Sequence, residues 1–506
     1  MGEPWWKSAV FYQVYPRSFA DSNGDGVGDL EGIRRHLGYL RWLGIDAIWL
    51  SPFYVSPMAD AGYDVADHCA VDPVFGSITD FDRLLTEAHD LEIRVLIDFV
   101  PNHTSDEHPW FVEASSSRDN PKRDWYIWRD EPNNWRASLN AGSAWTYHES
   151  TGQYYLHYFL EKQPDLNWTN PDVVDAMHQV LRFWLDRGVD GFRIDAVHCI
   201  GKDLTISHDP LSFQGIPKSD VNDEPYTHVV LRGIRQLVDS YPGERVTVGE
   251  VNIRDTTKVA RYYGANDELH MCFNFPPLDA PWDQIVWKSV TDQVAEQLYP
   301  LDAWPTWVLS NHDNERHRTR YGGSLRRARA AAVLLLTLRG TPFLYEGEEL
   351  GLEDAVITPE TGVDPGGRDG TRAPVPWTAE PPHGWEGRQP WLPFPPNPER
   401  QNVQTLREDP DSILHLYRRL LKLRKDSLAL TLGSWKGLNA GPQILGYSRE
   451  HESQRRVVLV NFADHSNDAH VEGRWTIQLA SDGKADGALF QGKIGPEQAI
   501  ILAPTD

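Results

Sequence analysis

Eight short apolar runs recur along this chain, and between most of them the apolar positions change to helical spacing. The runs are VFYQVYP from Val10, IDAIWLS from Ile45, RVLIDFV from Arg94 and GFRIDAV from Gly191, then VTVGEV from Val246, HMCFNF from His270, WPTWVLS from Trp304 and TPFLYEG from Thr341. Helical patterns such as LEGIRRHLGYLRWLG, ITDFDRLLTEAHDL, VVDAMHQVLRFWLDRG and THVVLRGIRQLVDS lie between them. Apolar runs without a polar face read as strands covered on both sides, the condition of a parallel sheet. Eight strand–helix repeats closing on themselves predict an α/β fold, a (β/α)8 TIM barrel whose function gathers at the C-terminal strand ends.

Two interruptions and a tail divide the chain. The third crossover, 104–170, is too long for a plain helix and is aromatic, Pro- and Asn-rich, which predicts an inserted subdomain over the barrel mouth. The barrel itself is expected over 1–103 and 171–425, with an irregular Pro-, Gly- and Trp-rich stretch, 351–410, as a rim loop after the eighth strand. After the amphipathic SILHLYRRLLKLRK come short alternating runs, among them ILGYSRE, RRVVLVNF, DAHVEG, WTIQL and AIILAP, which predict a C-terminal antiparallel β-sandwich over 426–506.

Composition excludes several classes of function. A net charge of −24 argues against nucleic acid or an anionic membrane as partner, and no apolar run is long enough to span a bilayer. A neutral small molecule fits better, bound by a monomer or homodimer. Cys69, Cys199 and Cys272 are odd in number and lack metal or redox spacing, so neither a disulfide framework nor a zinc site is indicated and a reducing cytoplasm is the expected setting. The N-terminus MGEPWWKSAVFYQV has no basic n-region or signal h-region and reads as mature sequence.

Three of the apolar runs stop at an acid: Asp195 in GFRIDAV, Glu250 in VTVGEV and Asp313 after WVLSNH. Carboxylates arriving from separate strand ends suit glycoside hydrolysis, in which one acts as nucleophile or base and the other as proton donor. Arg193 lies two residues before Asp195, on the same strand face, and is expected to keep that carboxyl ionised; a buried structural ion pair is the alternative. Glu250 has no cation near it in sequence, so its pKa is expected to be raised and the group protonated, unless it faces solvent. Asp313 beside His312 reads either as a third active-site acid or as a helix cap. DFVPNHTS sets His103 at another strand end, available to a substrate hydroxyl or serving only the local turn. DSNGDGVGD offers Asp21, Asn23, Asp25, the Val27 carbonyl and Asp29 at calcium-loop spacing. It lacks the twelfth-position Glu and the preceding helix of an EF-hand, so a plain acidic turn is the other reading.

DFVPNH, QPDLNW, GFRIDAV, GEV and SNHD, in this order, resemble the signature regions of the α-amylase family of glycoside hydrolases. AVFYQVYPRSFADSNGDGVGDLEGI, GYDVAD, GSAW and YYLHYF are similar to its α-glucosidase and oligo-1,6-glucosidase branch. The resemblance covers nearly the whole chain. It implies Asp195 as nucleophile, Glu250 as general acid/base and Asp313 as transition-state stabiliser. It further implies Asp60, Tyr63, His103, Arg193 and His312 around a terminal glucose, Phe159 as an aromatic wall and Arg400 as a rim arginine. The DSNGDGVGD loop would hold a structural Ca2+ or Mg2+, and no organic cofactor is implied. Two departures stand out: Asn140 occupies a position where relatives carry an aromatic, and Ala196 follows the nucleophile where relatives specialised for α-1,6 links often carry Val. The implied activity is retaining, exo-acting release of glucose from short α-glucosides, leaning to α-1,4 links, with transglucosylation possible. The alternative is a transferase or hydrolase of sucrose, trehalose, isomalto-oligosaccharides or a phosphorylated disaccharide, the last drawing on Arg316, Arg318 and Arg320 at the rim.

Overall fold

The parity of side chains along each strand explains how the barrel forms. A computed structural model describes residues 2–139, 142–204 and 224–505. Its main sheet consists of β1 (Phe11–Val14), β2 (Ala47–Leu50), β3 (Arg94–Phe99), β4 (Gly191–Ile194), β5 (Val246–Gly249), β6 (Met271–Cys272), β7 (Thr306–Val308) and β8 (Thr341–Tyr345). All eight expected strands are present, shorter at their ends. They run parallel in the spatial order β6-β5-β4-β3-β2-β1-β8-β7, each beside its neighbour in sequence. Phe11, Ala47, Trp49, Leu96, Val248 and Phe343 pack together in the barrel interior. Their alternates Tyr12, Ile48, Leu50, Val95, Ile97 and Leu344 join the layer beneath the helices. Both faces are apolar because both are covered, the reason these strands do not alternate with polar residues.

Between β6 and β7 no ladder forms among the described residues. The buried Thr306 hydroxyl bridges the seam instead, donating to the Cys272 carbonyl at 3.0 Å and accepting from the Asn274 amide at 3.2 Å.

The crossover helices are α1 (Leu30–Leu43), α2 (Ile78–Asp90), α3 (Pro171–Arg187), α4 (Pro225–Asp239), the single turn α5 (Thr256–Val259), α6 (Gln284–Gln297), α7 (Leu325–Thr337) and α8 (Ile413–Lys425). Their starts are encoded locally: Asp29 caps α1, and Ser77 with Asp80 forms a capping box on α2. Among the described residues no helix is long and apolar enough to cross a membrane.

Between β3 and α3 a helix (Pro109–Ser116) and a three-stranded antiparallel sheet (Trp128–Arg129, Gln153–Leu156, Trp145–His148) stand over the barrel mouth. The pairing of His103 with Asp165 ties this segment back to the end of β3, and Tyr126 pairs with Leu166 within it. After β8, residues 346–402 contain no regular helix or strand. They are pinned by indole donors instead, Trp377 to the Phe19 carbonyl (2.7 Å) and Trp391 to the Ser18 hydroxyl (3.0 Å). The C-terminal sheet runs β9 (Ser434–Leu438), β10 (Ile444–His451), β11 (Gln454–Asn461), β13 (Ala499–Pro504) and β12 (Trp475–Ala480), antiparallel throughout. DAHVEG does not add a strand to it: only Asn467–Asp468 is extended, paired with Lys493–Ile494 in a separate ribbon.

Candidate active site

The alternation that buries Leu96 in the barrel also turns Asp98, two residues on, inward at the layer nearest the mouth. Arg193 lies between Phe192 and Ile194, which face the helices, so it too points inward, and it is the direct register partner of Asp98. Its guanidinium is 2 % exposed and meets three carboxylates: Asp98 at 2.7 Å, Asp195 at 2.6 Å and Glu250 at 2.8 Å. Trp49 Nε1 holds the other Asp98 oxygen at 2.8 Å.

The strand ladder continues past the formal strand ends. Asp195 N–H donates to the Phe99 carbonyl (2.9 Å), Glu250 N–H to Ile194 (2.8 Å) and Val197 N–H to Glu250 (3.0 Å). The chain then turns sharply at Ala196, whose backbone is left-handed (φ 42°, ψ 42°) and whose N–H donates to Glu250 Oε2 at 2.9 Å. The two acids are thereby fixed from two strands onto one guanidinium.

This corrects the expected charge assignment. Arg193 is shared, so Glu250 does have a cation beside it. The Asp195 carboxyl is pushed well above the ordinary range by burial, with Glu250 and Asp98 adding to the shift and Arg193 opposing it. Asp98 is pushed up to about 6, again by burial against the pull of Arg193. One guanidinium is thus shared among three carboxylates.

Asp313 behaves oppositely. It is bridged by Arg368 at 3.0 Å and Arg372 at 2.9 Å. Burial disfavours its ionisation, yet His312, Arg368, Arg372 and Arg193 hold its carboxyl well below the usual range. Burial lowers His312 itself to about 3, so near neutral pH the holding charge comes from the guanidiniums. The His312 ring lies stacked between Tyr15 and Tyr63, with Gln13 Nε2 at 2.7 Å from Nδ1 and Asp313 Oδ2 at 3.1 Å from Nε2.

The expected residues Asp60, Tyr63, His103, Phe159, Asp195, Glu250 and Asp313 line one cavity of about 380 Å³, with Arg193 and His312 directly behind it. Asp60 is held by Gln163 (3.0 Å) and by Arg368 (2.5 Å), and Phe159 packs against the His103 ring. Arg400 does not join them: it is exposed in the turn after Asn397 and is not part of the wall. The arginine on the wall is Arg368, which spans Asp60 and Asp313 and is itself oriented by Asp364 (2.6 Å). Reading by sequence missed Arg368 and Arg372, although their four-residue spacing behind Asp364 in GVDPGGRDGTRAP was a usable signal. Asp98, Gln163, Asn252 and Phe275 were missed as well.

Arg316, Arg318 and Arg320 are not available to a substrate. Arg316 is buried on the Glu346 carbonyl, Arg318 holds the Gly323 and Gly351 carbonyls, and Arg320 holds those of Leu309 and Glu315. Asn140 lies outside the described residues.

In the DSNGDGVGD loop, Asp21 accepts from the Asn23, Gly24 and Gly26 amides, Asn23 from Asp25, Asp25 from Val27, and Asp29 from Gly32 and Ser22. Gly24 and Gly26 have φ of 82° and 89°, and a Cβ on Gly26 would meet the Gln389 carbonyl at 2.3 Å. Both glycines are thus required by the turn and its packing. Among the described residues no three His, Cys, Asp or Glu side chains come together as a metal group. The loop's donor set is nonetheless all oxygen, which fits a hard divalent cation, and its Asx turns leave lone pairs on the same carboxylates.

The chain is matched along most of its length by known proteins. The alpha-amylase catalytic-domain model matches residues 13–433. The chain is 41 % identical to a probable alpha-glucosidase of Rhizobium meliloti (strain 1021) over 91 % of this chain and 90 % of that one. It is 38 % identical to the glucan 1,6-alpha-glucosidase of Streptococcus pneumoniae serotype 4 over 99 % of both. Its fold is similar to the crystal structure of the alpha-glucosyl transfer enzyme XgtA, with a TM-score of 0.92, 39 % identity and full coverage of both chains. With a family match over most of its length and relatives of this identity end to end, the chain belongs to the alpha-amylase family of glycoside hydrolases.

Proposed function

We propose that this glycoside hydrolase is a retaining, exo-acting α-glucosidase that releases glucose from the non-reducing end of short α-glucosides and can pass it to a second sugar. The observation that carries this reading is the sharing of one guanidinium by Asp195 and Glu250, at 2.6 and 2.8 Å. A retaining pair sits about 5–5.5 Å apart, whereas an inverting pair leaves room for a water at about 6.5–9.5 Å. Exo action follows from the wall in which Arg368 joins Asp60 to Asp313.

Asp195 attacks the anomeric carbon as the glycosidic C–O bond breaks and Glu250 delivers its proton to the leaving oxygen, forming a covalent glucosyl ester. Glu250, now ionised, takes a proton from water or a sugar hydroxyl, which attacks the same carbon and frees Asp195. Asp313, kept ionised, accepts hydrogen bonds from ring hydroxyls that strengthen as positive charge develops.

For linkage we favour α-1,4, because the left-handed Ala196 lines the cavity and a β-branched side chain is strained in that backbone conformation. The name of the Streptococcus pneumoniae relative favours a second reading, α-1,6. The test is one series: maltose and isomaltose turnover, NMR of the first-formed anomer, and Asp195→Asn. Expected are α-glucose first, preference for maltose and a loss of at least about 10³-fold in kcat for the variant. β-Glucose first, or near-normal turnover by Asp195→Asn, overturns the mechanism; preference for isomaltose overturns the linkage.

We also propose that Asp21, Asn23, Asp25, Asp29 and the Val27 carbonyl hold a structural Ca2+ or Mg2+, a reading supported by their all-oxygen chemistry. Chelation with EDTA should lower the melting temperature and added Ca2+ should restore it. A melting temperature indifferent to both counts against the site.

A further inference from the structure

Lys202 lies in the irregular chain after β4, and its side chain is only 3 % exposed. It is not on the cavity wall, although Tyr158, whose ring centre is 5.1 Å from its Nζ, is. The ammonium meets Asn102 Oδ1 at 2.6 Å and Asp165 Oδ2 at 3.2 Å. A buried charge is costly unless paired, so these contacts hold the ammonium and in return fix the Asn102 amide. With Oδ1 taken by Lys202, Asn102 Nδ2 faces Asp165 Oδ1 at 3.1 Å and the neighbouring His103 Nδ1 at 3.1 Å. Asn102, His103 and Asp165 are all buried, so no bulk solvent competes for these groups.

Burial lowers His103 to about 3, so its ring is neutral near pH 7 and carries one N–H. Its surroundings disagree about which nitrogen that is. Nδ1 faces the Asn102 amide donor, which requires a lone pair there. Nε2 faces the Tyr63 carbonyl at 3.2 Å, which requires an N–H, and the Gln163 Nε2 donor at 3.0 Å, which requires a lone pair. Gln163 is not free to turn over, because its Oε1 accepts from the Leu160 amide at 3.0 Å and its Nε2 holds Asp60 at 3.0 Å. The Asn102 amide therefore decides the outcome, and Lys202 decides the amide. Without the ammonium, Oδ1 loses its donor, and Asp165 loses the cation that opposes the rise in its pKa on burial. We infer that Lys202 is a positioning residue that fixes the tautomer of His103, placing the proton on Nε2 so that the ring donates to a hydroxyl of the bound glucose. The inference rests on the catalytic reading above, in which the terminal glucose occupies the cavity that His103 lines. A hydroxyl that accepts from Nε2–H keeps its own proton for the Asp60 carboxylate on the same wall. Under the opposite tautomer that hydroxyl would meet two acceptors with one proton to give.

The direct measurement is ring-nitrogen NMR of the protein isotopically labelled at histidine, with His103→Gln identifying the His103 signals. The expected pattern is a protonated Nε2 and a bare Nδ1; the reverse pattern in the unmodified protein overturns the inference, whether or not any variant folds. Lys202→Met keeps the aliphatic stem and removes the charge, and in it the Nδ1–H form should gain population. The kinetic measurement is kcat/KM for an aryl α-glucoside in Lys202→Met, His103→Gln and the double variant. Each single change should cost about 10- to 100-fold, the scale of an unmatched buried polar group. The double variant should stay within about threefold of His103→Gln, because Lys202 acts through that ring. Losses that multiply, or an unaltered tautomer in Lys202→Met, show a lysine that only ties the fold together and overturn the inference. Failure of the unmodified protein to release glucose overturns the catalytic reading and the role given to the tautomer; the tautomer itself is read without turnover.

Discussion

Arg193 is the residue on which the site depends, because it is fully buried and pairs with Asp98, Asp195 and Glu250 at once. A buried guanidinium is tolerated only when paired, and removing a partner from such a cluster leaves an uncompensated charge. The same residue therefore fixes Asp98, Asp195 and Glu250 in position from three strands. Part of this was legible in the sequence. The i, i+2 spacing of Arg193 and Asp195 follows from strand parity alone. The sharing with Glu250 and Asp98 was not legible, since those residues lie on other strands and meet Arg193 only through register. Arg400 and Arg368 illustrate the same limit. Both are arginines in irregular chain after β8, and only packing decides which one faces Asp60.

At the level of elements, the apolar runs and caps define strands and helices without tertiary help. Where an element is very short, however, side chains complete what backbone pairing does not. β6 is two residues long, and its seam with β7 rests on the Thr306 hydroxyl. Thr306→Val preserves the shape but strands the Asn274 N–H and the Cys272 carbonyl in a buried layer. We expect a loss of about 2–4 kcal/mol, visible as a lower urea midpoint; a midpoint equal to that of the unmodified protein would show that the seam is held otherwise. The rim segment 346–402 was readable as irregular from its Pro, Gly and Trp content. That its tryptophans would be the pins was not, because an indole N–H finds its acceptor only in the folded molecule.

Across the whole molecule, distant segments meet beneath β8 around buried acids. Tyr12 on β1 and Tyr39 on α1 donate to Glu349 at 3.0 and 2.7 Å, and Tyr417 on α8 donates to Glu348 at 3.0 Å. Burial pushes Glu348 up to about 8, from 4.5 for an ordinary glutamate, and raises Glu346 and Glu349 in the same direction. A carboxyl whose pKa is raised by folding binds its proton more tightly in the native state. Its contribution is therefore complete below pH 4.5 and is lost as pH rises through about 8. The melting temperature should fall between pH 5 and 9, and Glu348→Gln, neutral throughout, should flatten that fall in part. An identical slope in both proteins would exclude Glu348 as a contributor. The C-terminal sheet joins the barrel by similar means: the buried Arg449 of β10 binds the carbonyls of Thr337, Thr431 and Gly433, and Tyr447 meets the Thr337 hydroxyl at 2.5 Å.

Strand–helix alternation, the parity of apolar positions and the acids at three strand ends were determined by the sequence alone, because each depends on neighbours a few residues apart. The barrel and the placing of three acids at its mouth followed from these, and the family resemblance then gave the acids separate roles. Tertiary structure alone decided which charges are shared, which arginine closes the cavity and what stands behind His103, because electrostatics and burial act across strands and loops that only folding brings within hydrogen-bond reach.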